Sequence, residues 1–493
     1  MLLLGIDLGT SSIKVSVIDA QNHRRIVSTQ YPETEAVILS EQAGWAEQDP
    51  QTWWTYTKAA IHKLNSTGMY NPKHIGAIGI AYQMHGLVIV DADLKPLRNA
   101  IIWCDSRAVE IGNSAMAVLQ EQGFLSSHLN SPGNFTASKL AWVKQYEPDL
   151  YQRVYKFMLP GDYLSMCLTG EINSNISSIS EGILWDFKKN HVSNTLLDHY
   201  GVDASLVPEI QPVFSNYGKL KPQVAEELGL SRNAFVSYKA GDQPNNAFSL
   251  NVFDAGEVAA TAGTSGVIYA VTNQLIYDKE SRVNTFAHIS HTNDCPSLGV
   301  LLCINGTGIQ NSWMKKISAG GHDYPQINQW ASDVAIGSDG VMILPFGNGV
   351  ERMLNNKMVD AHIENIDFVR HGHAHLWRAA QEGIAFSFRY GLDILKQNGI
   401  EPQVIKAGHT NLFLSPVFQQ SFAGVTNVSV ELYDNDGSIG AALGAGLGAS
   451  VFASRQEAFA GLEKHAIIEP SHIALYDELY EKWKNSLERK LLK

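Results

Sequence analysis

Two short stretches of this chain carry the residue types that phosphate chemistry requires. In the first, Gly5-Ile6-Asp7-Leu8-Gly9-Thr10-Ser11-Ser12-Ile13-Lys14, a carboxylate precedes a turn of glycine and three hydroxyl residues. Small residues let backbone N–H groups approach an anion, hydroxyls add donors, and an acidic side chain ahead of the turn can hold hydrated Mg²⁺ beside phosphates. Thr10, Ser11, Ser12 and Lys14 are therefore nucleotide-binding candidates, and Asp7 is the metal candidate. The second stretch, Gly263-Thr264-Ser265-Gly266, repeats the small polar turn. Between them, Asp242 follows Gly241 at the end of an apolar run, where the glycine leaves room for the carboxylate to face a cleft. Phosphoryl transfer needs Mg²⁺, donors to the phosphates and a base for the attacking hydroxyl; Asp7, the two turns and Asp242 would supply them. The ordinary alternatives are that Asp7 caps a turn and Asp242 caps a helix.

Further polar residues stand where apolar runs end. Residues 75–81 run into Tyr82-Gln83-Met84-His85-Gly86, and strand ends are where α/β sheets hold ligands. A lone histidine such as His85 is more often structural than a ligand. Asp105 follows residues 100–103 and has an alternative as the cap of a helix beginning near Arg107. Gly408 and Asn411 end another apolar run. His371, His373 and His375 invite a metal reading, but helical spacing points His373 away from the other two and argues against it.

The elements that must position these residues are strands first. Residues 2–6 and 13–18 read as a hairpin around the first turn, and residues 257–262 and 267–271 repeat that design around the second. Such repetition predicts a duplicated α/β fold with one phosphate-contacting turn from each half. The boundary falls in residues 243–255, giving domains 1–243 and 244–493, and 493 residues are too many for one core. Helices are expected from Pro50, over residues 376–395 with Ile384, Phe388 and Leu392 inward, and over residues 472–491 with Leu475, Leu479, Trp483 and Leu487 buried. Residues 347–353 read as a loop. The small-residue run 436–446 suits either a helix entry beside a nucleotide or plain tight packing.

Composition removes several classes. A net charge of −12 with no basic stripe excludes a nucleic-acid partner. The N-terminal leucines have no basic residues before them and Asp7 interrupts them, so no export signal is read; residues 439–452 are too short to span a membrane. Cys104, Cys167, Cys295 and Cys303 show no paired spacing, which argues against disulfides and structural zinc and for the cytoplasm. The oligomeric state is left open, a homodimer included.

No GxxxxGK loop, kinase glycine-rich loop or GxGxxG fingerprint occurs where it would be needed. The ordered set Gly5-Ile6-Asp7-Leu8-Gly9-Thr10, Gln83-Met84-His85-Gly86, Gly241-Asp242, Gly263-Thr264-Ser265-Gly266 and Ser438-Ile439-Gly440-Ala441-Ala442-Leu443-Gly444 instead resembles the FGGY carbohydrate kinases, nearest their xylulokinase branch. The resemblance covers nearly the whole chain. It implies an α/β fold of two ribonuclease-H-like domains of the actin, hexokinase and Hsp70 type, with ATP and sugar in the cleft between them. It also implies transfer of phosphate from ATP, with Mg²⁺, to the terminal hydroxyl of D-xylulose. In the family the residue matching Asp242 is the base, that matching Asp7 lies by Mg²⁺ and the phosphates, and those matching Met84 and His85 contact the ketose. Gln83, Asp105 and Gln243 join these as substrate-binding candidates. The residues matching Gly263 and Thr264 meet the ATP phosphates, and those matching Gly408 and Asn411 lie against the adenosine. Gln243 stands where Asn is common, and Lys406-Ala407-Gly408 stands in place of a triple glycine. The rival acceptors are gluconate, glycerol and ribulose; from other classes come a non-catalytic nucleotide sensor and a simple ATPase or phosphatase.

Overall fold

The computed structural model describes residues 1–434 and 436–492. Two mixed sheets organise it. In the first, the spatial order is Phe214–Lys219, Phe235–Gly241, Ile75–Tyr82, Leu2–Leu8, Ile13–Asp19, Arg24–Tyr31. Leu2–Leu8 is central, antiparallel to Ile13–Asp19 and parallel to Ile75–Tyr82, with Leu3, Leu4, Ile6 and Leu8 buried. An almost continuous apolar run is what a strand covered on both faces requires. The second sheet runs Asn284–Ala287, Leu298–Ile304, Gly266–Thr272, Glu257–Ala262, Val404–Gly408, Val430–Tyr433, Lys464–Ile468. Beyond its extra edge strand Asn284–Ala287, it repeats the first sheet: three antiparallel strands, two parallel ones, then an antiparallel edge. This is a two-domain α/β fold of the ribonuclease-H-like type.

The small-residue run forms the helix Gly437–Gly448, and it packs against the first sheet although it lies late in the chain. The approach is backbone to backbone: a Cβ on Gly5 would overlap the Ser438 carbonyl oxygen, and one on Gly79 would overlap that of Ala441. Ala441, Ala442 and Ala445 share a core cluster with Leu3, Ile18, Ala77, Ala240 and Phe248. Burying Leu3, Ile18 and Phe248 supplies about 2 kcal/mol each by removing apolar surface from water. Only small residues bring the helix close enough to collect it. Of the two readings of this run, the contacts show tight packing along its length. Its first residue, Gly437, also stands against the Asp7 carboxylate.

Several expectations change. Residues 347–353 are not a loop: Met342–Glu351 is a strand paired with Lys357–Glu364, its register shifted between Phe346 and Val350, followed by a 3-10 turn at Arg352–Leu354. The glycines of that irregularity hide the strand's alternation. In the last helix, Ile473–Leu491, the buried stripe is Tyr476, Tyr480, Trp483 and Leu487, whereas Leu475 is exposed. Two tyrosines, not the leucines, carry the first half of the stripe. Asp105 caps no helix, because the next one starts at Val109 with Ala108 at its cap. Helix Asp242–Ser249 takes Gly241 as its cap, so the Asp242 carboxylate is not used for capping. Helices Pro50–Ser66, capped by Asp49, and His373–Gln397 form where the spacing placed them. His373 packs on Trp330, while His371 and His375 face each other. Among the described residues no helix is long and apolar enough to cross a membrane, and all four cysteines are free.

Candidate active site

Parallel strands ending on one side bring their loops together, the usual place for a ligand in an α/β sheet. Leu2–Leu8 delivers Asp7 and Thr10, Ile75–Tyr82 delivers Met84 and His85, and Phe235–Gly241 delivers Asp242 and Gln243. Thr10, Met84, His85, Asp242 and Gln243, with Trp103 and Arg352, line a cavity of about 480 Å³, and Asp7 lies behind it, against Gly437. A second cavity, of about 280 Å³, is lined by Gly263, Thr264, Asn311, Tyr324, Asn411 and Ser415. The Gly263–Thr264 turn is braced by the start of helix Gly308–Ser318: Gly308 N–H donates to the Gly263 carbonyl (2.9 Å) and Ile309 N–H to that of Thr264 (3.0 Å). Asn411, with φ of 54°, stands beside Gly263.

Two carboxylates dominate the electrostatics. Burial raises the Asp242 pKa to about 7, the charge of Asp7 adds to this, and hydrogen bonds with Gln243 oppose it. Burial also raises Asp7 to about 6, with Lys14 opposing and Asp436 adding. Lys14 faces Asp7 across the hairpin but is solvent-exposed. Acidic oxygens crowded with so little cationic compensation are the donor set that a hard dication such as Mg²⁺ prefers. Asp7 fits that role.

His85 has a different task. Its φ of 61° is left-handed, a conformation that costs a non-glycine residue about 1–3 kcal/mol and is found mainly where function demands it. Its Nδ1 lies 3.1 Å from the Glu181 carbonyl oxygen. A carbonyl can only accept, so Nδ1 carries the proton and Nε2 is a bare acceptor. Burial, reinforced by Lys139 and Arg352, lowers the His85 pKa to about 3 and keeps the ring neutral. The ring is also held edge-on to Phe135, with centroids 4.8 Å apart. Beneath it, the wholly buried Lys139 donates to the carbonyls of His85 and Ile102, each at 2.9 Å. A neutral acceptor fixed this way can read a hydroxyl.

Not every candidate reaches a cavity wall. Gln83 is buried; its Oε1 accepts from Thr10 Oγ1 (3.2 Å) and its Nε2 donates to Gln48 (2.9 Å), so it fixes Thr10, which also accepts from Trp103 Nε1 (3.0 Å). Asp105 is wholly buried, its carboxylate engaged by the Arg107 guanidinium and by Ala46 N–H (2.6 Å). Arg107 in turn lies over Trp45, 3.8 Å from the ring centroid. Ser11 and Ser12 remain on the hairpin turn, Asp7 and Lys14 on its paired strands and Gly408 on its strand end, outside both linings.

The residue most clearly missed from sequence is Arg352. Its Nη1 donates to Asn284 Oδ1, and burial lowers its pKa. Neighbouring Glu351 accepts from the N–H groups of Asn305 (3.0 Å) and Gly306 (3.1 Å), holding the turn that aims Arg352 inward. An adjacent Glu-Arg pair at the end of a glycine-rich stretch was the available signal.

Comparison with known proteins shows the family. Residues 2–249 match the N-terminal domain, and residues 258–451 the C-terminal domain, of the FGGY family of carbohydrate kinases. The chain is 30% identical over 475 residues to the xylulose kinase of Escherichia coli (strain K12), covering 95% of this chain and 94% of that protein. Among solved structures, xylulose kinase from Rhodospirillum rubrum superposes with a TM-score of 0.88 at 23% identity, over 100% of both chains. Gluconate kinase from Lactobacillus acidophilus gives 0.88 at 20% identity, over 99% of this chain and 98% of that one. At those identities the structural matches speak to the fold alone.

Proposed function

Because the chain belongs to the FGGY family of carbohydrate kinases, we propose that it transfers the γ-phosphoryl group of ATP to the terminal hydroxyl of D-xylulose, forming D-xylulose 5-phosphate. The observation that carries this reading is the near full-length similarity to a xylulose kinase, joined to a cavity where Asp242 and neutral His85 share one wall. The sugar occupies the larger cavity. His85 Nε2 accepts a hydrogen bond from one of its hydroxyls, and Met84 packs against its carbon face. ATP occupies the smaller cavity, with its phosphates reaching the turns at Thr10 and at Gly263–Thr264.

Asp242 takes the proton of the terminal hydroxyl as the oxygen bonds to the γ-phosphorus and the bond to ADP breaks. A base with a pKa near 7 is matched to work at neutral pH, half-ionised yet basic enough to accept the proton late in the transfer. Mg²⁺ held at Asp7 with the phosphates would neutralise charge that builds on the transferring group and on ADP. Withdrawing the reacting atoms from water prevents hydrolysis of ATP in place of transfer. With the domain division at residues 243 and 244, the base closes the first domain, and each domain brings one phosphate turn, at Thr10 and at Gly263–Thr264. The four free cysteines suit a reducing cytoplasm.

A second reading has one observation in its favour. Arg352 places a guanidinium on the wall of the sugar cavity, and a guanidinium pairs well with a carboxylate, so gluconate is the main rival acceptor. ADP release measured with D-xylulose, D-ribulose, gluconate, glycerol and no acceptor decides between them. Stimulation by D-xylulose supports the first reading. Preference for gluconate keeps the chemistry and changes the substrate. ADP release indifferent to every acceptor would overturn the kinase mechanism.

A further inference from the structure

Three neighbouring strand ends of the second sheet gather side chains for which phosphoryl transfer has no use. His409 directly follows Val404–Gly408, Asp434 directly follows Val430–Tyr433, and His465 lies in Lys464–Ile468. The backbone sets them side by side: His409 N–H donates to the Tyr433 carbonyl (2.8 Å), and Tyr433 pairs with Lys464 across the edge. One ring nitrogen from each histidine and one Asp434 oxygen all lie within 4.8 Å of one another. The two imidazoles stack with centroids 3.7 Å apart and planes at 21°. Among the described residues, none of the three side chains has a hydrogen bond or ion pair with another group. Asp434 and His465 are exposed, whereas His409 is half-buried.

We propose that His409, Asp434 and His465 form a site for a transition-metal dication of the Zn²⁺, Ni²⁺ or Co²⁺ class, separate from the oxygen-lined Mg²⁺ position at Asp7. Two imidazoles and one carboxylate are the ligands these borderline-soft ions select, while Mg²⁺ keeps to oxygen and water. Metal–nitrogen bonds of about 2.0–2.1 Å require ligand atoms roughly 3.3 Å apart in a tetrahedron, so the three need draw in by no more than about 1.5 Å. Rotation of the exposed Asp434 and His465 side chains achieves this without disturbing the strand ladder. Water completes the coordination. The rings lack the hydrogen-bonded partners that usually orient metal-binding histidines, which lowers affinity by about 10–100-fold relative to a site that has them.

The position gives the ion a consequence. Asp434 is two residues before Asp436, which caps helix Gly437–Gly448 through the Ile439 N–H (3.0 Å), and Gly437 abuts Asp7. His409 is two residues before Asn411, which lines the smaller cavity. A bound ion thus ties Asp434, two residues from the cap of the helix that abuts Asp7, to His409 beside the smaller cavity's turn, and it should alter the KM for ATP more than that for the sugar.

The test is Co²⁺ titration of the chelator-stripped full chain in excess Mg²⁺, read by visible absorption and by equilibrium dialysis. One Co²⁺ per chain is expected, with bands of nitrogen–oxygen coordination. His465→Ala and Asp434→Asn should each weaken binding at least about 10-fold, as loss of a ligand must. Both sites are peripheral, so kinase activity in metal-stripped, Mg²⁺-supplied buffer and the unfolding temperature should stay unchanged. Absence of saturable binding, binding displaced by Mg²⁺, or equal affinity in wild type and both variants would overturn the site.

Discussion

Replacing Asp242 with asparagine should silence the enzyme and at the same time make the metal-free protein more stable above neutral pH. A carboxyl whose pKa is raised in the fold stabilises it only while protonated. That contribution is fully present below the unfolded value of 3.8 and is lost as pH rises through the folded value of about 7. The difference of roughly 3 pK units corresponds to about 4 kcal/mol as a ceiling at about 1.4 kcal/mol per unit. Asp242 is only part-buried on the cleft wall, so solvent screens the charge, and about 1–2 kcal/mol is the reasonable share. Asn keeps the shape and removes the charge. In a domain of this size each kcal/mol moves the midpoint by about 2–4 °C. Thermal unfolding in chelator should therefore show the variant gaining about 2–8 °C over wild type at about pH 8, with a clearly smaller gap at about pH 5. Acceptor-dependent ADP release should vanish in the same variant, while ATP binding persists. A gap that does not change with pH would refute the burial argument. Retained turnover would refute the base.

Other outcomes follow from the same geometry. Gly5→Ala should lower the unfolding midpoint by several degrees or prevent soluble expression, because the methyl group meets the Ser438 carbonyl and over-packing costs about 1–3 kcal/mol; circular dichroism melting checks it. His85 should remain neutral across the working range, so its ring resonances in an NMR titration should not move between about pH 5 and 8, and a midpoint near the ordinary histidine value would refute the tautomer assigned here. Arg352→Gln should cut kcat/KM for a carboxylate acceptor at least about 10-fold, the loss of one charge-assisted hydrogen bond, and affect D-xylulose less; similar losses for both acceptors would remove Arg352 as the discriminator.

What the sequence could determine unaided was local. A buried strand, a small polar turn and a partner strand are set by neighbours in the chain, so the two hairpins around Thr10 and Thr264 and the strand ahead of Asp242 are legible as apolar runs and their interruptions. The ordered motifs then pointed to the family. Which polar side chains face the cleft was decided only by tertiary packing. Gln83 and Asp105 stand at strand ends as Met84 and His85 do, yet they are consumed by Gln48 and Thr10 and by Ala46, partners near only in space, with Arg107 from the same turn closing on Asp105. Arg352 reaches the larger cavity from the turn after a strand whose glycines masked its alternation. His409, Asp434 and His465 meet because three strands end together, 56 residues apart along the chain from first to last. Strand propensity and turn chemistry act over a few residues, whereas a site is made by side chains that burial and hydrogen bonding leave unpaired, and that remainder exists only once the chain has packed.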